Sequence, residues 1–259
     1  MPAVLVIIVA FNSGPDLQRA IDALADQTFG DWTAVVWDNA SRDGSTEALR
    51  LPPRVRLHRS PENLGFAEAN NRAAELADSR WIACLNPDAF PEPGWLQALI
   101  EAGERTGAAS VGSVQLTDAD PAILDGLGDC YSIGGVAWRG GYLRPRVEYV
   151  VEDAEILGPC AAAALYRRDA FATAGGFDPR YFAFFEDVDL GLRLRLAGER
   201  AVVASGAVVR HVGGGSAGKV SGFAEYHGMR NLVRTFAKAM PLALWPLALP
   251  AHAVSLVVM

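Results

Sequence analysis

Residues 4–38 read VLVIIVAFNSGPDLQRAIDALADQTFGDWTAVVWD, and this stretch decides the fold class. It opens with an apolar run at residues 4–10, which predicts a buried strand. Residues 15–27 follow with apolar side chains at helical spacing and a proline near the start, which predicts a helix. Residues 32–37 form a second apolar run. A strand, a helix and another strand in this order indicate the repeating unit of an α/β fold.

The same alternation continues through the first half of the chain. Further strands are predicted at residues 55–59, 81–85 and 108–114, and helices at residues 45–51, 66–77 and 95–105. Later in the chain, residues 201–209 have the pattern of another strand. We therefore expect an α/β fold built on a mostly parallel, Rossmann-like sheet with helices on both faces.

The composition excludes several classes of protein. The chain has 259 residues, of which 51% are hydrophobic, and this suits a large domain that folds without disulfides. Asp and Glu number 30 against 23 Lys and Arg, so the basic charge expected of a nucleic-acid-binding protein is absent. The three cysteines show no CxxC spacing. Neither a disulfide framework nor a zinc knuckle is indicated, and we expect a reducing compartment.

The two ends of the chain differ in character. The first apolar run has no basic segment before it, which favours a strand over a signal peptide and a cytoplasmic protein over a secreted one. Residues 226–259 combine a basic amphipathic helix, which carries Arg230, Arg234 and Lys238, with an apolar tail. This pattern is typical of peripheral attachment, here to the inner face of the cytoplasmic membrane. The alternative is a C-terminal helix packed on the core.

Polar residues follow three predicted strands at the point where each strand ends. Asn12, Asp38 and Asp88 occupy these positions. Ligands of open α/β sheets bind at the edge formed by the carboxyl ends of the strands. The sequence therefore predicts a site for a nucleotide or a sugar phosphate at this edge.

An acidic cluster, Glu186-Asp187-Val188-Asp189, follows an aromatic stretch at residues 181–185. Carboxylates beside so much apolar surface are expected to include at least one with a raised pKa, which is typical of a catalytic acid or base. The alternative is a helix N-terminus, where acidic side chains interact favourably with the helix dipole. The two interpretations are compatible, and we expect a helix to begin here.

His211 follows the strand at residues 201–209 and opens a glycine-rich segment that we expect to close over a ligand. Asp88 and His211 can share a hard divalent cation, with diphosphate oxygens and water completing an octahedral Mg²⁺ or Mn²⁺ site. Residues 213–219 also read G-x-x-x-x-G-K, but Val220 stands where a P-loop requires Ser or Thr. A P-loop NTPase is therefore a weaker alternative.

Several segments together resemble the inverting glycosyltransferases of family 2. In chain order they are VIIVAFN (6–12), VWDNASRDGS (36–45), NLGFAEANN (63–71), LNPD (85–88), GGFDPRYFAFFEDVDLGLRLRL (175–196) and HVGGGS (211–216). The LNPD and EDVDL forms are most similar to bacterial rhamnosyltransferases that use dTDP-rhamnose. The resemblance implies a GT-A fold, with a nucleotide-sugar-binding half at residues 1–115. A smaller acceptor-binding and catalytic half at 116–222 and a C-terminal helical extension at 223–259 would follow.

The resemblance also implies roles for individual residues. Asp187 matches the catalytic base, with Glu186 and Asp189 beside it. Asp88 matches the last acid of an Asp-x-Asp motif whose first acid is replaced by Asn86, which increases the importance of His211 as a second metal ligand. The nucleotide-sugar side comprises Ala10, Asn12, Asp38, Asn39, Asn63, Gly65, Asn70 and Asn86.

We therefore expect a metal-dependent inverting glycosyltransferase that acts in cell-envelope polysaccharide synthesis. Its donor would be dTDP-rhamnose or a UDP-sugar, and its acceptor a hydroxyl of a glycan or a lipid-linked glycan. A single positioned base suffices for in-line attack on the sugar carbon. The alternative is a non-catalytic subunit that binds sugar nucleotides, although such a module has no need for Asp88, Asp187 and His211 together.

Overall fold

The structure, a computed structural model, describes residues 2–149, 152–213 and 222–258. The strands are β1 (Val4–Ala10), β2 (Trp32–Asp38), β3 (Val55–Arg59), β4 (Trp81–Leu85), β5 (Ala89–Pro91), β6 (Ser110–Thr117), β7 (Leu124–Gly126), β8 (Asp129–Tyr131), β9 (Ala137–Arg139), β10 (Ala154–Glu155), β11 (Ala163–Arg167) and β12 (Ala201–His211). The helices are α1 (Asp16–Ala25), α2 (Gly65–Ala74), α3 (Trp95–Thr106), α4 (Arg168–Thr173), α5 (Glu186–Leu196), α6 (Phe223–Ala239) and α7 (Trp245–Val258).

The apolar strands of the first half form a parallel sheet. β1 lies between β2 and β4 and is parallel to both, and β3 continues the sheet beside β2. Every residue of β1 is buried. Side chains at positions 4, 6 and 8 pack with α1 and α3 on one face, and those at 5, 7 and 9 pack with α2 and α5 on the other. This arrangement confirms the predicted α/β fold with helices on both faces of the sheet.

The rest of the ten-stranded sheet is mixed. Its order is β10-β12-β6-β11-β4-β1-β2-β3, with β5 beside β12 and β7 beside β6. β11 is antiparallel to both of its neighbours, β4 and β6. The expectation of a mostly parallel sheet therefore holds for β1 to β4 and again for β12 beside β6, whereas β5, β7, β10 and β11 run antiparallel to their neighbours. A fully buried strand has the same apolar pattern in either direction, so the sequence pattern does not determine the direction in which β11 runs.

The short helix expected at residues 45–51 is wrong, because the structure has turns there. Side chains of the preceding loop hold these turns. Asp43 accepts hydrogen bonds from the backbone N–H and hydroxyl of Ser45, and Asp38 accepts one from the hydroxyl of Thr46 at 2.9 Å. Carboxylates that bind nearby backbone and hydroxyl groups favour turns over a helix.

A strained aromatic turn precedes α5. Phe182, Phe184 and Phe185 have φ angles of 66°, 69° and 69°, a region that bulky side chains adopt rarely. Buried Asn231 of α6 holds this turn, because its amide donates hydrogen bonds to the carbonyls of Tyr181, Ala183 and Phe184 at 3.0, 2.8 and 2.7 Å. The strain is thus maintained by a side chain from a distant part of the chain.

The C-terminal segment has a packed face and an exposed apolar face. On one side α7 packs on the protein, since Ala248 is fully buried and the ring of His252 stacks on Phe236 at 3.9 Å between centroids. On the other side, Leu242 and Leu247 are 81% and 68% exposed. The structure therefore places one face of this segment against the core and leaves another apolar face in solvent.

The basic stripe of α6 does not form a free membrane-facing surface. Arg230 and Arg234 donate hydrogen bonds to backbone carbonyls of the turn before α5. Lys238 forms ion pairs with Asp178 and Asp189 at 2.8 and 2.7 Å. The three cations of the predicted membrane-binding helix therefore make contacts within the protein: Arg230 and Arg234 hold α6 against the turn before α5, and Lys238 joins α6 to α5.

The length and apolar character of the described helices determine whether any of them could cross a membrane. None of them is, by itself, both long and apolar enough to cross a bilayer. Phe223–Ala239 and Leu242–Leu256 together have sufficient length and apolar character, but the two are bent by 107° relative to each other.

Candidate active site

The three polar residues predicted at the sheet edge are brought to the carboxyl ends of β1, β2 and β4. Asn12 follows β1 and its side-chain oxygen accepts a hydrogen bond from the backbone N–H of Arg42 at 2.8 Å. Asp38 ends β2 and its carboxylate accepts one from the N–H of Ser41 at 2.9 Å. Because β1, β2 and β4 are parallel, their ends share one edge with Asp88.

Some of the residues expected on the nucleotide side are buried and bonded within the fold. The Asn39 side chain accepts a hydrogen bond from the N–H of Leu64 and donates one to the carbonyl of Gly65. The Asn70 amide donates to the carbonyl of Phe66 at 2.9 Å, and Asn70 is 1% exposed. The side chains of both asparagines are thus engaged by the backbone around the start of α2.

Close packing against Phe182 explains why a glycine occupies position 65. Its φ is +77°, and a Cβ atom there would lie 2.5 Å from the carbonyl oxygen of Phe182. The same carbonyl accepts hydrogen bonds from the N–H groups of Phe66 and Ala67, at the start of α2. Asn63 accepts a hydrogen bond from the N–H of Gly65 at 2.9 Å. Gly65 thus allows α2 to approach the aromatic turn, and Ala10 is a buried strand end whose carbonyl accepts from the N–H of Asn39.

The predicted metal-ligating pair is assembled by the fold. His211 Nε2 lies 3.3 Å from Asp88 Oδ1 and 3.4 Å from the amide nitrogen of Asn86. Burial opposes a charged imidazole, but hydrogen bonds to Asp125 and Asp88 outweigh it and raise the pKa of His211 to about 9. A cation that binds Nε2 therefore has to displace a proton.

A carboxylate that sequence reasoning missed lies behind His211. Asp125 Oδ2 is 2.8 Å from His211 Nδ1 and 2.5 Å from a guanidinium nitrogen of Arg139. Burial favours the neutral acid, yet the hydrogen bond from His211 and the charge of Arg139 together lower the pKa of Asp125. A carboxylate on the far nitrogen fixes the orientation of a metal-binding imidazole.

The acidic cluster begins α5, as expected, but its members face different surroundings. Asp187 is half-buried, and its carboxylate accepts hydrogen bonds from the N–H groups of Ala161 and Val188 at 3.1 and 2.9 Å. Glu186 is 6% exposed, and one of its carboxyl oxygens has no hydrogen-bond partner in the structure. Burial, with the neighbouring charges of Asp187 and Asp189, raises the pKa of Glu186 well above its usual range.

Asp189, which was expected beside the catalytic base, makes contacts that hold the fold together. It is 3% exposed and forms ion pairs with Arg193 at 2.8 Å and Lys238 at 2.7 Å. Tyr181 also donates a hydrogen bond to it. Because these partners belong to α5, to α6 and to the turn before α5, Asp189 joins the two helices. The sequence cluster is therefore divided by helical periodicity.

A second acid missed by sequence reasoning, Asp129 of β8, lies near the start of α5. Burial raises the pKa of Asp129 well above its usual range, the charge of Asp187 adds to this effect, and Arg139 opposes it. Asp129, Asp187 and Arg139 therefore share one electrostatic environment, and Asp125 connects it to His211. The segment that carries these residues has no regular apolar pattern, so the sequence offered no signal for their convergence.

In residues 2–149, 152–213 and 222–258, no cluster of three or more His, Cys, Asp or Glu side chains is arranged to hold a metal ion. Most of the glycine-rich segment after His211, including Lys219, lies outside the described residues, as do the expectations of a closing loop and of a P-loop there.

The sequence matches known families and proteins. The family described as "Glycosyl transferase family 2" matches residues 5–175. An N-acetylglucosaminyl-diphospho-decaprenol L-rhamnosyltransferase of Mycobacterium tuberculosis is 32% identical over 250 residues, covering 86% of this chain and 80% of that protein. The O-antigen biosynthesis protein RfbC of Myxococcus xanthus is 30% identical over 206 residues, covering 76% of this chain and 16% of that protein.

Solved structures share the fold. GalNAc-T7, solved with UDP, GalNAc and Mn²⁺, superposes with a TM-score of 0.69 at 15% identity, and the match covers 82% of this chain but 43% of that one. Residues 1–349 of TarS from S. aureus superpose with a TM-score of 0.62 at 15% identity, covering 96% of this chain and 70% of that one. At this identity the likeness concerns the architecture alone.

Proposed function

Because this chain belongs to glycosyl transferase family 2 and is a glycosyltransferase, we propose that it transfers rhamnose from dTDP-rhamnose to a lipid-linked glycan, with inversion at the sugar carbon. The relative from M. tuberculosis, whose name specifies an L-rhamnosyltransferase and a diphospho-decaprenol acceptor, supports this choice of sugar and acceptor. Other relatives act in cell-envelope polysaccharide synthesis, and we place the reaction there.

The observation that carries the proposal is the convergence of Asp88, His211 and Asp125 at the carboxyl edge of the sheet. Asp88 follows β4, His211 ends β12, and Asp125 belongs to β7, yet the three side chains form one hydrogen-bonded row. The edge is where ligands of α/β sheets bind. We interpret this row as part of a binding site, because a buried carboxylate on one imidazole nitrogen fixes the orientation of the other nitrogen toward a ligand.

Asp187 is the proposed base. It begins α5 and is half-buried, and two backbone N–H groups hold its carboxylate in place. A positioned carboxylate accepts the proton of the acceptor hydroxyl as the oxygen attacks the sugar carbon from the side opposite the diphosphate. One displacement without a covalent enzyme intermediate inverts the configuration. Glu186 is buried and Asp189 is paired with two cations, so both carboxylates are less accessible to an acceptor hydroxyl than that of Asp187.

Asp88 and His211 fit a divalent cation such as Mg²⁺ or Mn²⁺. A carboxylate oxygen and an imidazole nitrogen converge within 3.3 Å, and both suit such ions. Two protein ligands leave positions for diphosphate oxygens of the donor and for water, so the site is complete only with the donor. When bound, such a cation neutralises the charge that develops on the leaving diphosphate.

The donor side is assigned to the loops after β1, β2 and β4. We place Asn12, Asp38, Asn63 and Asn86 next to the nucleotide sugar, because they lie in or beside these loops. Ala10, Asn39, Gly65 and Asn70 support the same loops through backbone contacts and buried amides. The amide of Asn86 is near enough to His211 to contact a group held there.

We also place the protein at a membrane surface through its C-terminal helices. Leu242, Leu247 and Val254 are 81%, 68% and 63% exposed on one apolar segment. A contiguous apolar surface on the outside of a protein indicates a binding face, and a lipid-linked acceptor is presented at a bilayer. The attachment is peripheral in this proposal, since part of the same segment packs on the core.

The test is thermal stabilisation by dTDP, UDP, GDP and ATP, each with and without Mn²⁺ or Mg²⁺. A ligand at 100 times its Kd stabilises the folded state by about 2.7 kcal/mol, which is readily measured. We expect the largest shift with dTDP plus metal. A preference for UDP or GDP would keep the transferase and reject rhamnose. A shift with ATP alone would contradict the assignment and favour a P-loop.

A further inference from the structure

A cavity of about 890 Å³ opens beside the Asp125–His211 pair. Its floor includes Asp125 and Arg139, and its walls include Trp138, Tyr142 and Arg144. Because Asp125 bonds directly to the imidazole that faces Asp88, the floor of the cavity is one side chain away from the proposed reaction centre. Arg139, which also lines the cavity, interacts electrostatically with Asp187, the proposed base, so the cavity lies beside the proposed reaction centre.

The lining of the cavity includes aromatic side chains that are largely exposed and not part of the core. Trp138 is 52% exposed and Tyr142 is 53% exposed, and both line the same opening. Large aromatic rings exposed together around a concave surface are typical of ligand sites. Flat aromatic faces suit the apolar face of a sugar ring, which presents C–H groups to the π system.

The cavity also carries two guanidinium groups with different surroundings. Arg139 is paired with Asp125 at 2.5 Å, so its charge is largely neutralised. Arg144 is 61% exposed at its side chain and is 3.6 Å from Glu148, an exposed contact that contributes little. Arg144 is therefore available for an anion, and a guanidinium fork matches the oxygens of a phosphate.

The hairpin that supplies Trp138 and Arg139 also contacts the apolar C-terminal segment. β8 and β9 pair with each other, and the carbonyl of Gly134 in their connecting loop lies 2.8 Å from His252 Nδ1 of α7. One short hairpin thus links the cavity to the helix whose apolar face is exposed.

We infer that this cavity is the acceptor site and that it binds a sugar diphosphate, with Trp138 and Tyr142 against the sugar ring and Arg144 on the diphosphate. The inference rests on the transferase function proposed above and specifies the chemistry of its acceptor. Because Arg139 is paired with Asp125, we assign the recognition of phosphate to Arg144.

The experiment compares two acceptor probes that differ in the diphosphate alone. One is N-acetylglucosaminyl diphosphate with a short alkyl chain, and the other is the alkyl glycoside of N-acetylglucosamine. Binding of each probe is measured by calorimetry in the presence of dTDP and Mn²⁺, and transfer is measured separately. Arg144→Gln is expected to weaken binding of the diphosphate probe about tenfold and to leave binding of the glycoside unchanged. Trp138→Ala is expected to weaken binding of both probes.

The matched control is Arg146→Gln, which removes an exposed arginine two positions away that does not line the cavity. Stabilisation by dTDP and the melting temperature should be unchanged in all three variants. Equal effects of Arg144→Gln and Arg146→Gln on the diphosphate probe would overturn the inference, as would a wild-type protein that does not bind this probe. The alkyl-free sugar diphosphate, tested alongside, shows whether the lipid contributes to binding.

The binding measurement separates this inference from the proposed donor. If rhamnose is the wrong sugar, transfer from dTDP-rhamnose fails, but discrimination between the two probes by Arg144 remains. If dTDP stabilises the protein and the probes do not bind, the donor assignment stands and the acceptor site is wrong.

Discussion

His211 Nδ1 and Asp125 Oδ2 lie 2.8 Å apart, although the two residues are separated by 86 positions in the chain. The carboxylate of Asp125 is also paired with Arg139, so it links the imidazole to the cavity that we propose as the acceptor site. On its other side the imidazole faces Asp88. In our proposal, the donor side and the acceptor side are therefore connected through His211.

Asp125→Asn should weaken the binding of a divalent cation and leave nucleotide binding intact. The amide keeps the shape of the carboxylate but loses the charge that orients and polarises His211. Loss of such a partner typically costs about 10–100-fold in metal affinity. Titration of Mn²⁺ into the protein with saturating dTDP measures the effect. Asp120→Asn, an exposed aspartate on the preceding turn, is the control. Unchanged Mn²⁺ affinity in Asp125→Asn would refute the role assigned to this carboxylate.

Asp187→Asn should abolish transfer while the donor still binds. The amide cannot accept the proton of the attacking hydroxyl, so we expect the rate to fall by about 10²–10⁴-fold. Ala161 and Val188 donate to different oxygens of Asp187, so the amide keeps one of these two hydrogen bonds, and the melting temperature is measured to verify the fold. Transfer is measured by product formation, and donor binding by thermal stabilisation with dTDP and metal. Turnover at the wild-type rate would exclude Asp187 as the base.

Glu186→Gln should be well tolerated, in contrast to the change at the next residue. Burial, with the charges of Asp187 and Asp189, raises the pKa of Glu186 and so favours the neutral acid, which glutamine resembles in shape and charge. We expect the melting temperature and the transfer rate to stay near wild type. Side-by-side assays of Glu186→Gln and Asp187→Asn test this contrast. A loss of activity as large as that of Asp187→Asn would show that Glu186 takes part in proton transfer.

Leu242→Ser combined with Leu247→Ser should reduce membrane binding and leave the fold intact. Both leucines are largely exposed, at 81% and 68%, so they contribute little to the core. Removing two apolar anchors should lower the affinity for vesicles by about tenfold or more. Sedimentation with vesicles of phosphatidylglycerol and phosphatidylcholine measures this. The control is Leu196→Ser, which removes a 77% exposed leucine from α5. Equal vesicle binding by the two variants would reject the membrane face.

Asp178→Asn should destabilise the protein at neutral pH and much less in acid. The hydrogen bond from Arg180, opposed by burial and aided by Lys238, lowers the pKa of Asp178. The folded state therefore holds the charged form, and the resulting stability is present above the ordinary pKa of about 4 and is lost as the pH falls below it. We expect about 2 kcal/mol of lost stability at pH 7.

Urea unfolding of Asp178→Asn and wild type between pH 7 and pH 2.5 measures this difference. The two proteins should converge in stability toward the acid end. Asp26→Asn, at an exposed position after α1, should follow wild type throughout. A difference that stays constant with pH would mean that the contribution of Asp178 is not electrostatic.

Much of the fold follows from local patterns. The apolar runs predicted as strands in the first half became β1 to β4 and β6, and the start of α5 at Glu186 agrees with the acids placed there. These features depend on side chains a few residues apart, which periodicity reports directly. Residues 45–51 were the exception, because Asp38 and Asp43 hold that segment in turns through side-chain hydrogen bonds.

The residues of the candidate site were also predicted only in part. Asp88 and His211 were predicted as a pair, and the structure brings them together. The three neighbouring acids of α5 could not be distinguished in the sequence, because their roles depend on which helix face each occupies. In the structure Asp189 faces Lys238 of α6, whereas the carboxylate of Asp187 accepts from the backbone of Ala161. Only the packing of α5 against its neighbours separates them.

The sequence alone therefore determined the order of strands and helices, the polar residues that end the parallel strands, and the family of the chain. The tertiary structure decided the antiparallel insertion of β11, the pairing of Asp125 with His211, and the cavity around Trp138 and Arg144. The physical reason is the separation in sequence of the residues that make contact. Local structure depends on neighbours within a few residues, whereas the active site is formed by contacts between distant segments, which the chain makes only after its core is buried.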